Sequence, residues 1–222
     1  MYTLFISVLV MVPAVVLHEL AHGVAAFWLG DPTAKEQQRL TLNPFAHVTW
    51  FGTFVLPALL AVAGLPILGY AKPVPVDPRH FREPRKHMAW VAMAGPLTNI
   101  VLAFACVLFI NFVLPWAQPG SKSAAIAFAH AGASFWPGGW IVAGTVAFEA
   151  LVANLVLALF NLVPVPPLDG SRVLSWLLPR ELAGWYSRLE RVGLWLVFGL
   201  LYAGVFGWLF DYTLPYLLEV LL

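Results

Sequence analysis

Long apolar runs dominate the chain, and four of them are long enough to cross a bilayer. A transmembrane helix needs about 20 mostly apolar residues, a length reached by residues 4–29, 88–116, 140–163 and 192–212. Polar stretches between them are short enough to be connections, and no internal repeat separates the chain into parts. The pattern predicts an all-α polytopic membrane protein with about four transmembrane helices, forming one integral-membrane domain over residues 1–222.

A fifth apolar run, residues 52–70, leaves two readings open. It is long enough to cross, but Pro57, Gly64 and Pro66 interrupt it, and such breaks are typical of re-entrant or kinked segments. The run is therefore expected to be either a re-entrant hairpin or a fifth membrane segment.

The distribution of basic residues favours the re-entrant reading. If residues 52–70 dip in and return, only Lys122 lies on one face of the membrane. The other face carries eleven basic residues: Lys35, Arg39, Lys72, Arg79, Arg82, Arg85, Lys86, Arg172, Arg180, Arg188 and Arg191. Because cytoplasmic loops carry the excess of Lys and Arg, we expect the N-terminus outside the cell membrane and the loops 31–87 and 168–191 in the cytoplasm.

Composition agrees with a membrane protein and excludes other classes. Of 222 residues, 61% are hydrophobic and only 10% are charged, against about a quarter charged in soluble domains. The net charge is +1, and no basic stretch is interleaved with aromatics, so no nucleic-acid partner is expected. The single cysteine, Cys106, cannot form an intramolecular disulfide.

The first apolar run contains the pattern H-E-x-x-H, formed by His18, Glu19 and His22. Residues i and i+4 lie on one face of a helix, so both imidazoles can bind one metal ion. Glu19, turned by about 100°, can reach an attacking water. In a soluble protein this pattern could equally be a solvated helix face. Inside a membrane that alternative is weaker, because a charged residue at the centre costs on the order of 2.5–3.5 kcal/mol unless it is paired or coordinated.

A third metal ligand is expected after a proline-broken helix at residues 161–170. Pro164, Pro166 and Pro167 cannot continue an α-helix, so we expect extended backbone there. Backbone of that kind at membrane depth is tolerated where it is buried or lines a cavity. Asp169 follows the break and can supply a carboxylate oxygen. The alternative is that Asp169 only caps the next helix.

These motifs together resemble the site-2 protease family of intramembrane zinc metalloproteases. The resemblance rests on His18 through Gly23, on Ala94 through Asn99 in a Gly-Pro-x-x-Asn pattern, and on Asn161 through Gly170. Further stretches resemble the short bacterial form without accessory domains: 30–34, 40–44 and 71–76. The similarity covers roughly residues 16–172.

The resemblance implies a role for individual residues. One Zn²⁺ per chain would be bound by His18, His22 and Asp169, and Glu19 would be the catalytic base. Asn99 and Asn161 would bind substrate or polarise the scissile carbonyl, although each could instead form an interhelical hydrogen bond.

The sequence therefore predicts an intramembrane zinc endopeptidase that hydrolyses peptide bonds in or near transmembrane segments. Its partners would be the lipid bilayer and a membrane-protein substrate whose helix can unwind. The alternatives are a catalytically silent membrane scaffold and a metal-binding or transport protein. Glu149, inside the third apolar run, and His47, beside residues 52–70, have no assigned role; His47 is a candidate neighbour of the site.

Overall fold

We describe the protein from a computed structural model, in which residues 2–55, 59, 62, 71–114, 122–123, 125–126 and 139–222 are placed well enough to describe. The α-helices of these residues are α1 (Tyr2–Trp28), α2 (Thr33–Glu36), α3 (Pro84–Leu108), α4 (Trp140–Leu162), α5 (Asp169–Leu177), α6 (Arg180–Ser187), α7 (Gly193–Tyr202) and α8 (Val205–Leu221). Short 3₁₀ turns lie at Pro44–His47, Pro78–His80 and Arg188–Val192, and π-helical turns at Trp50–Val55 and Phe109–Val113. The prediction of an all-α membrane protein is confirmed.

Helix α1 ends where the sequence provides a glycine. Gly30 has φ +109°, a value that a side chain with a Cβ rarely adopts. The amide of Asp31 donates to the carbonyl of Ala26 at 2.9 Å, and that of Gly30 donates to Phe27 at 3.1 Å. These two bonds form a Schellman motif, which satisfies the last carbonyls of the helix and turns the chain into the following loop.

Helices α1, α3 and α4 pack on one another and form the core. Along α1, His18 contacts Asn99 of α3, whereas His22, one turn later, contacts the earlier residue Val91. Helices α1 and α3 are therefore antiparallel. Because Asn99 also contacts Asn154, while an apolar cluster joins the C-terminal part of α3 to earlier residues of α4, α4 is antiparallel to α3 and parallel to α1.

Three helices have the length and hydropathy of membrane spans: Leu9–Trp28, Pro84–Val113 and Trp140–Leu162. They overlap the first three predicted spans. The second begins four residues earlier than predicted, where Pro84 occupies the first helical turn. Proline fits this position because amide hydrogens in the first turn of a helix have no acceptor within the helix, so proline's missing one breaks no bond.

The fourth predicted span, residues 192–212, is not one straight helix. It consists of α7 and α8, which meet at Gly204 with φ +74°. Here the segment Arg180–Tyr202 and α8 are bent by 66°. This pair is therefore a broken span or a re-entrant element, because the left-handed backbone at Gly204 interrupts the helical hydrogen bonds.

Most of the ambiguous run 52–70 lies outside the described residues. Its flanks are described, and they meet: the Lys72 amide donates to the His47 carbonyl at 2.7 Å. A single crossing between these flanks would separate them by the thickness of the hydrocarbon core, about 30 Å. The contact thus agrees with the charge distribution, while the re-entrant course itself stays a prediction.

The predicted proline break is present, but its backbone is not extended throughout. Helix α4 ends at Leu162, and the amides of Val165 and Leu168 then donate to Val163 and Val165 at 2.8 and 2.9 Å. The backbone is extended at Val163 and Leu168, as expected, but these bonds form tight turns between the two. The turns let the chain reverse within six residues and begin α5 beside α3.

Candidate metal centre

Helix α1 presents His18 and His22 toward one point, as the four-residue spacing predicts. Their Nε2 atoms lie 3.0 Å apart, and the two rings are nearly perpendicular at 88°. Asp169 Oδ2 lies 3.1 Å from His18 Nε2 and 3.3 Å from His22 Nε2. Three potential ligand atoms from two distant parts of the chain therefore form a compact triangle.

Hydrogen bonds on the far side of each ring determine which nitrogen faces this triangle. His18 Nδ1 lies 2.6 Å from Asn99 Oδ1, and His22 Nδ1 lies 2.7 Å from the Val91 carbonyl oxygen. Both partners are acceptors, so each Nδ1 is the protonated donor. In the neutral rings both Nε2 atoms then carry lone pairs, the form that a metal ion requires.

The amide of Asn99 is itself held in one orientation. Its Nδ2 donates to Asn154 Oδ1 at 2.8 Å, and Asn154 Nδ2 donates to the Ala150 carbonyl at 2.8 Å. Asn99 is fully buried. A chain of hydrogen bonds thus runs from α4 through α3 to the first histidine on α1.

Asp169 reaches the histidines because the proline break brings α5 back toward α1 and α3. The alternative of a capping role is not supported: Leu168 occupies the N-cap position, Asp169 is the first helical residue, and α5 has no side-chain cap. A Cβ on Gly170 would lie 2.2 Å from the Leu162 carbonyl oxygen. Glycine is therefore required for the sharp return of the chain.

The triangle has the dimensions and donor chemistry of a zinc site. Tetrahedral zinc with bonds of about 2.0–2.1 Å to nitrogen and oxygen separates its ligand atoms by roughly 3.3 Å. The edges of 3.0, 3.1 and 3.3 Å are close to this value. Asp169 Oδ2 is buried and has no hydrogen-bond partner among the described residues, which is costly unless a cation is bound. The described residues contain one such ligand group.

Helix α3 can approach this closely because residue 95 is glycine. A Cβ at Gly95 would lie 2.5 Å from His22 Nε2 and 2.6 Å from His18 Nε2. Cβ atoms do not come so close to other heavy atoms, so any larger residue would displace the histidines. The Gly-Pro pair of the second motif therefore provides room for the ligands.

Glu19 follows His18 on α1 and accepts a backbone hydrogen bond. Its Oε2 lies 2.9 Å from the amide nitrogen of Val74, a residue 55 positions later in the segment following 52–70. The sequence pattern assigned chemistry to Glu19 but gave no signal for this partner.

Among the described residues, the other three candidates form their hydrogen bonds with partners outside the triangle. Asn161 is half-buried, and its Nδ2 donates to Leu157 of its own helix at 3.0 Å. Glu149 accepts a hydrogen bond from Ser7 at 3.3 Å. His47 is buried and contacts the Thr41 carbonyl at 3.0 Å. No sequence motif with fixed spacing links these three residues to the histidines, so only the fold shows where they lie.

Sequence reasoning missed several residues that support the site. Gly95 was visible as part of a motif, but its function as a space-saving residue was not. Asn154 and the Val91 carbonyl gave no signal, because a hydrogen bond between helices depends on how the helices pack rather than on local sequence.

Two imidazoles, a carboxylate and an adjacent glutamate within a bundle of membrane-length helices are the composition of a hydrolytic zinc centre in a membrane protein. Comparison with known proteins agrees with this class. The family model described as Peptidase family M50 matches residues 5–200. The chain belongs to this family, which is the site-2 protease family that its motifs resemble.

Similar proteins carry names of the same kind. The chain is 38% identical over 200 residues to a Bacillus subtilis (strain 168) protein named "Putative zinc metalloprotease YwhC", covering 90% of this chain and 81% of that protein. It is 30% identical over 154 residues to "Putative zinc metalloprotease Rip2" of Mycolicibacterium smegmatis, covering 69% of this chain and 50% of that one. No solved structure matches the chain. The family and these relatives identify a multi-pass membrane protein of a metalloprotease family, with Zn²⁺ as its cofactor.

Proposed function

We propose that this protein is an intramembrane zinc endopeptidase that hydrolyses peptide bonds in or near the transmembrane segments of membrane proteins. The observation that carries the proposal is the triangle of 3.0–3.3 Å formed by His18, His22 and Asp169. His18 lies ten residues before the end of α1 at Trp28, or about 15 Å along the helix at 1.5 Å per residue. A metal site at this depth suits a substrate within the membrane.

His18, His22 and Asp169 would hold the ion, and Glu19 would handle the proton. Bound Zn²⁺ lowers the pKa of water to about 7 and polarises a carbonyl. Glu19 takes a proton from the attacking water and delivers it to the leaving amine. A helical substrate hides its carbonyls in hydrogen bonds, so its helix has to unwind first.

The two asparagines support different parts of this reaction. Asn99 uses its oxygen on His18 and its Nδ2 on Asn154, which favours a role in orienting the ligand over contact with substrate. Among the described residues, Asn161 engages only its Nδ2, with a carbonyl of its own helix. We retain it as the candidate for polarising the scissile carbonyl.

We place the N-terminus outside the cell membrane and the basic loops 31–87 and 168–191 in the cytoplasm. A contact between these loops supports their sharing one face. Arg85 Nη2 donates to the carbonyls of Ser175 and Leu178 at 2.6 and 2.8 Å, so the beginning of α3 and the end of α5 lie together. The positive-inside rule then assigns that face to the cytoplasm.

The test compares two intramembrane glutamates. We expect Glu19→Gln to bind one zinc per chain but to lose about 10²- to 10⁴-fold in kcat on a transmembrane test substrate in proteoliposomes, because a general acid–base is worth this much. The matched control is Glu149→Gln, at the Ser7 contact on the same bundle, which should cleave at the wild-type rate.

Three outcomes would contradict the proposal. Cleavage at the wild-type rate by Glu19→Gln would remove Glu19 from catalysis. Transport of zinc across the membrane, without cleavage of the substrate, would indicate a transporter. Cleavage that survives removal of zinc by a chelator would exclude a zinc endopeptidase.

A further inference from the structure

The segment 71–77 passes directly over the proposed catalytic base, and we call it the strap. Val74, at its middle, is buried. Its amide donates to Glu19 Oε2 at 2.9 Å, and its side chain occupies the space next to Gly23, where a Cβ would come within 2.8 Å of Val74 Cγ1. The strap thus packs against α1 at Glu19 and at Gly23, the residue directly after the H-E-x-x-H pattern.

Val74 supplies the only amide hydrogen of residues 73–75. Pro73 and Pro75 flank it, and proline has no amide hydrogen. A buried amide without an acceptor is destabilising. The carboxylate of Glu19 supplies that acceptor, so the two groups stabilise each other.

A buried arginine fastens the first part of the strap. Arg39 is only 8% exposed, and its Nη2 donates to the Lys72 carbonyl at 3.0 Å and to the Pro73 carbonyl at 3.4 Å. The Lys72 amide donates in turn to the carbonyl of His47 at 2.7 Å. Burying a guanidinium against neutral carbonyls is expensive, which makes this contact unlike an ordinary surface bond.

A buried aspartate fastens the end of the strap. Asp31 is fully buried, and its Oδ2 accepts from the Asp77 amide at 2.7 Å. Its Oδ1 accepts from the Thr33 amide at 3.0 Å and lies 3.0 Å from His80 Nδ1. The strap and the two residues that fasten it therefore account for the three stretches that resemble the short bacterial form. Asp31 lies in 30–34, Arg39 directly precedes 40–44, and the strap contains 71–76.

We propose that the strap is a positioning element for Glu19, and that Arg39 is a positioning residue that acts through it. The inference rests on the proposed role of Glu19 as the base. A glutamate side chain has three rotatable bonds, and the hydrogen bond from the Val74 amide fixes Oε2 relative to α1, the helix that carries both histidines. Displacing a reacting group by about 1 Å can cost 10²-fold in rate.

The first test measures the contact without activity. Hydrogen exchange of a peptide spanning 71–76 reports on three amides: Lys72, Val74 and Val76. Residues 73 and 75 are prolines, and the first residue of a peptide loses its label. In zinc-free protein, Glu19→Ala should remove the protection of Val74 while leaving that of Lys72. The matched control Glu149→Ala should change neither. Unchanged protection of Val74 in Glu19→Ala would overturn the inference.

The second test measures catalysis with the zinc content as a control. We expect Arg39→Met to lower kcat about 10- to 100-fold, with KM within about threefold and one zinc per chain. Arg39→Lys, which retains one donor for the carbonyls, should recover part of the loss. An Arg39→Met protein with wild-type kcat would contradict the proposal.

A third pair of variants decides the matter if Arg39→Met does not fold. Val74→Pro removes the amide hydrogen between two existing prolines, whereas Val74→Ala keeps it and shortens the side chain. The proline variant should lose kcat about 10- to 100-fold relative to the alanine variant. Equal kcat in these two, with Glu19→Gln inactive, would sink the strap inference alone. An active Glu19→Gln would instead sink the proposed function.

Discussion

The two ends of the three-helix core are built by different means. At the metal end, α1, α3 and α4 are joined by a chain of polar contacts through His18, Asn99 and Asn154. At the opposite end, α3 and α4 are joined by an apolar cluster: Ala103, Val107, Ile110, Phe148, Leu151 and Leu155. The same helices thus change from hydrogen bonding to side-chain packing along their length.

This difference shows how a membrane bundle separates stability from function. Lipid is as apolar as leucine, so packing at the apolar end needs only complementary shapes. Polar groups at the metal end are costly unless every one is satisfied. His18, His22, Asn99 and Asn154 each have a defined partner, and a small change there should affect the metal ion before it affects the fold.

The largest effect is expected from a glycine at each end. Gly95→Ala places a Cβ within 2.6 Å of both histidine Nε2 atoms, whereas Gly144→Ala places one 2.6 Å from Leu114 Cδ2 and Ala125 Cβ. We expect Gly95→Ala to lose bound zinc and to reduce cleavage at least 10²-fold, since 1 Å of displacement has that cost. Gly144→Ala should lower the melting temperature and keep one zinc per chain.

A helical glycine with open surroundings provides the control for these substitutions. Gly199 has no atom within 4 Å of its added Cβ among the described residues, so Gly199→Ala should change neither zinc nor stability appreciably. Equal zinc content in Gly95→Ala and Gly199→Ala would show that α3 does not confine the histidines.

An intermediate effect is expected from one of two asparagines: Asn99 lies within α3 and Asn111 in the π-helical turn that follows it. Asn99→Leu removes the acceptor of His18 Nδ1, and losing such an outer partner typically weakens metal binding 10- to 100-fold. Asn111 donates instead to the Leu221 carbonyl at 2.8 Å, far from the ligands. Zinc titration against a competing chelator should show weaker binding in Asn99→Leu and wild-type binding in Asn111→Leu.

The smallest effect is expected at Asp31, outside the membrane spans, and it concerns stability. Burial acts to raise the pKa of Asp31, but hydrogen bonds from Thr33, the Asp77 amide and His80 outweigh it and lower the pKa below its ordinary 3.8. A carboxyl whose folded pKa is depressed stabilises the fold above its unfolded pKa and loses that contribution as the pH falls through the folded pKa.

Asp31→Asn should therefore be less stable than the wild type at pH 7, by about 1–3 kcal/mol. The difference should shrink once the pH falls below 3.8, because the unfolded wild-type chain then binds a proton at Asp31 that the folded protein does not yet bind. Thermal unfolding in detergent at several pH values measures this. A difference that is constant from pH 7 to pH 3 would show that the charge of Asp31 contributes nothing.

The local parts of the site could be predicted from the sequence, and the contacts between helices could not. The spacing of His18 and His22 determines a shared face on any helix, and three prolines before Asp169 require a break. By contrast, the turns within that break and the left-handed residue Gly204 between α7 and α8 depend on packing. They were predicted as extended backbone and as an unbroken span.

The sequence by itself determined the membrane, the helices and the identities of the groups that can bind a metal ion, because hydrophobicity and helical periodicity are local properties. Only the tertiary structure decided which atoms meet. It oriented Asn99 toward His18, placed Gly95 against the imidazoles and brought the Val74 amide to Glu19. These contacts join residues 55 to 81 positions apart, and their geometry depends on how three helices and a strap pack together.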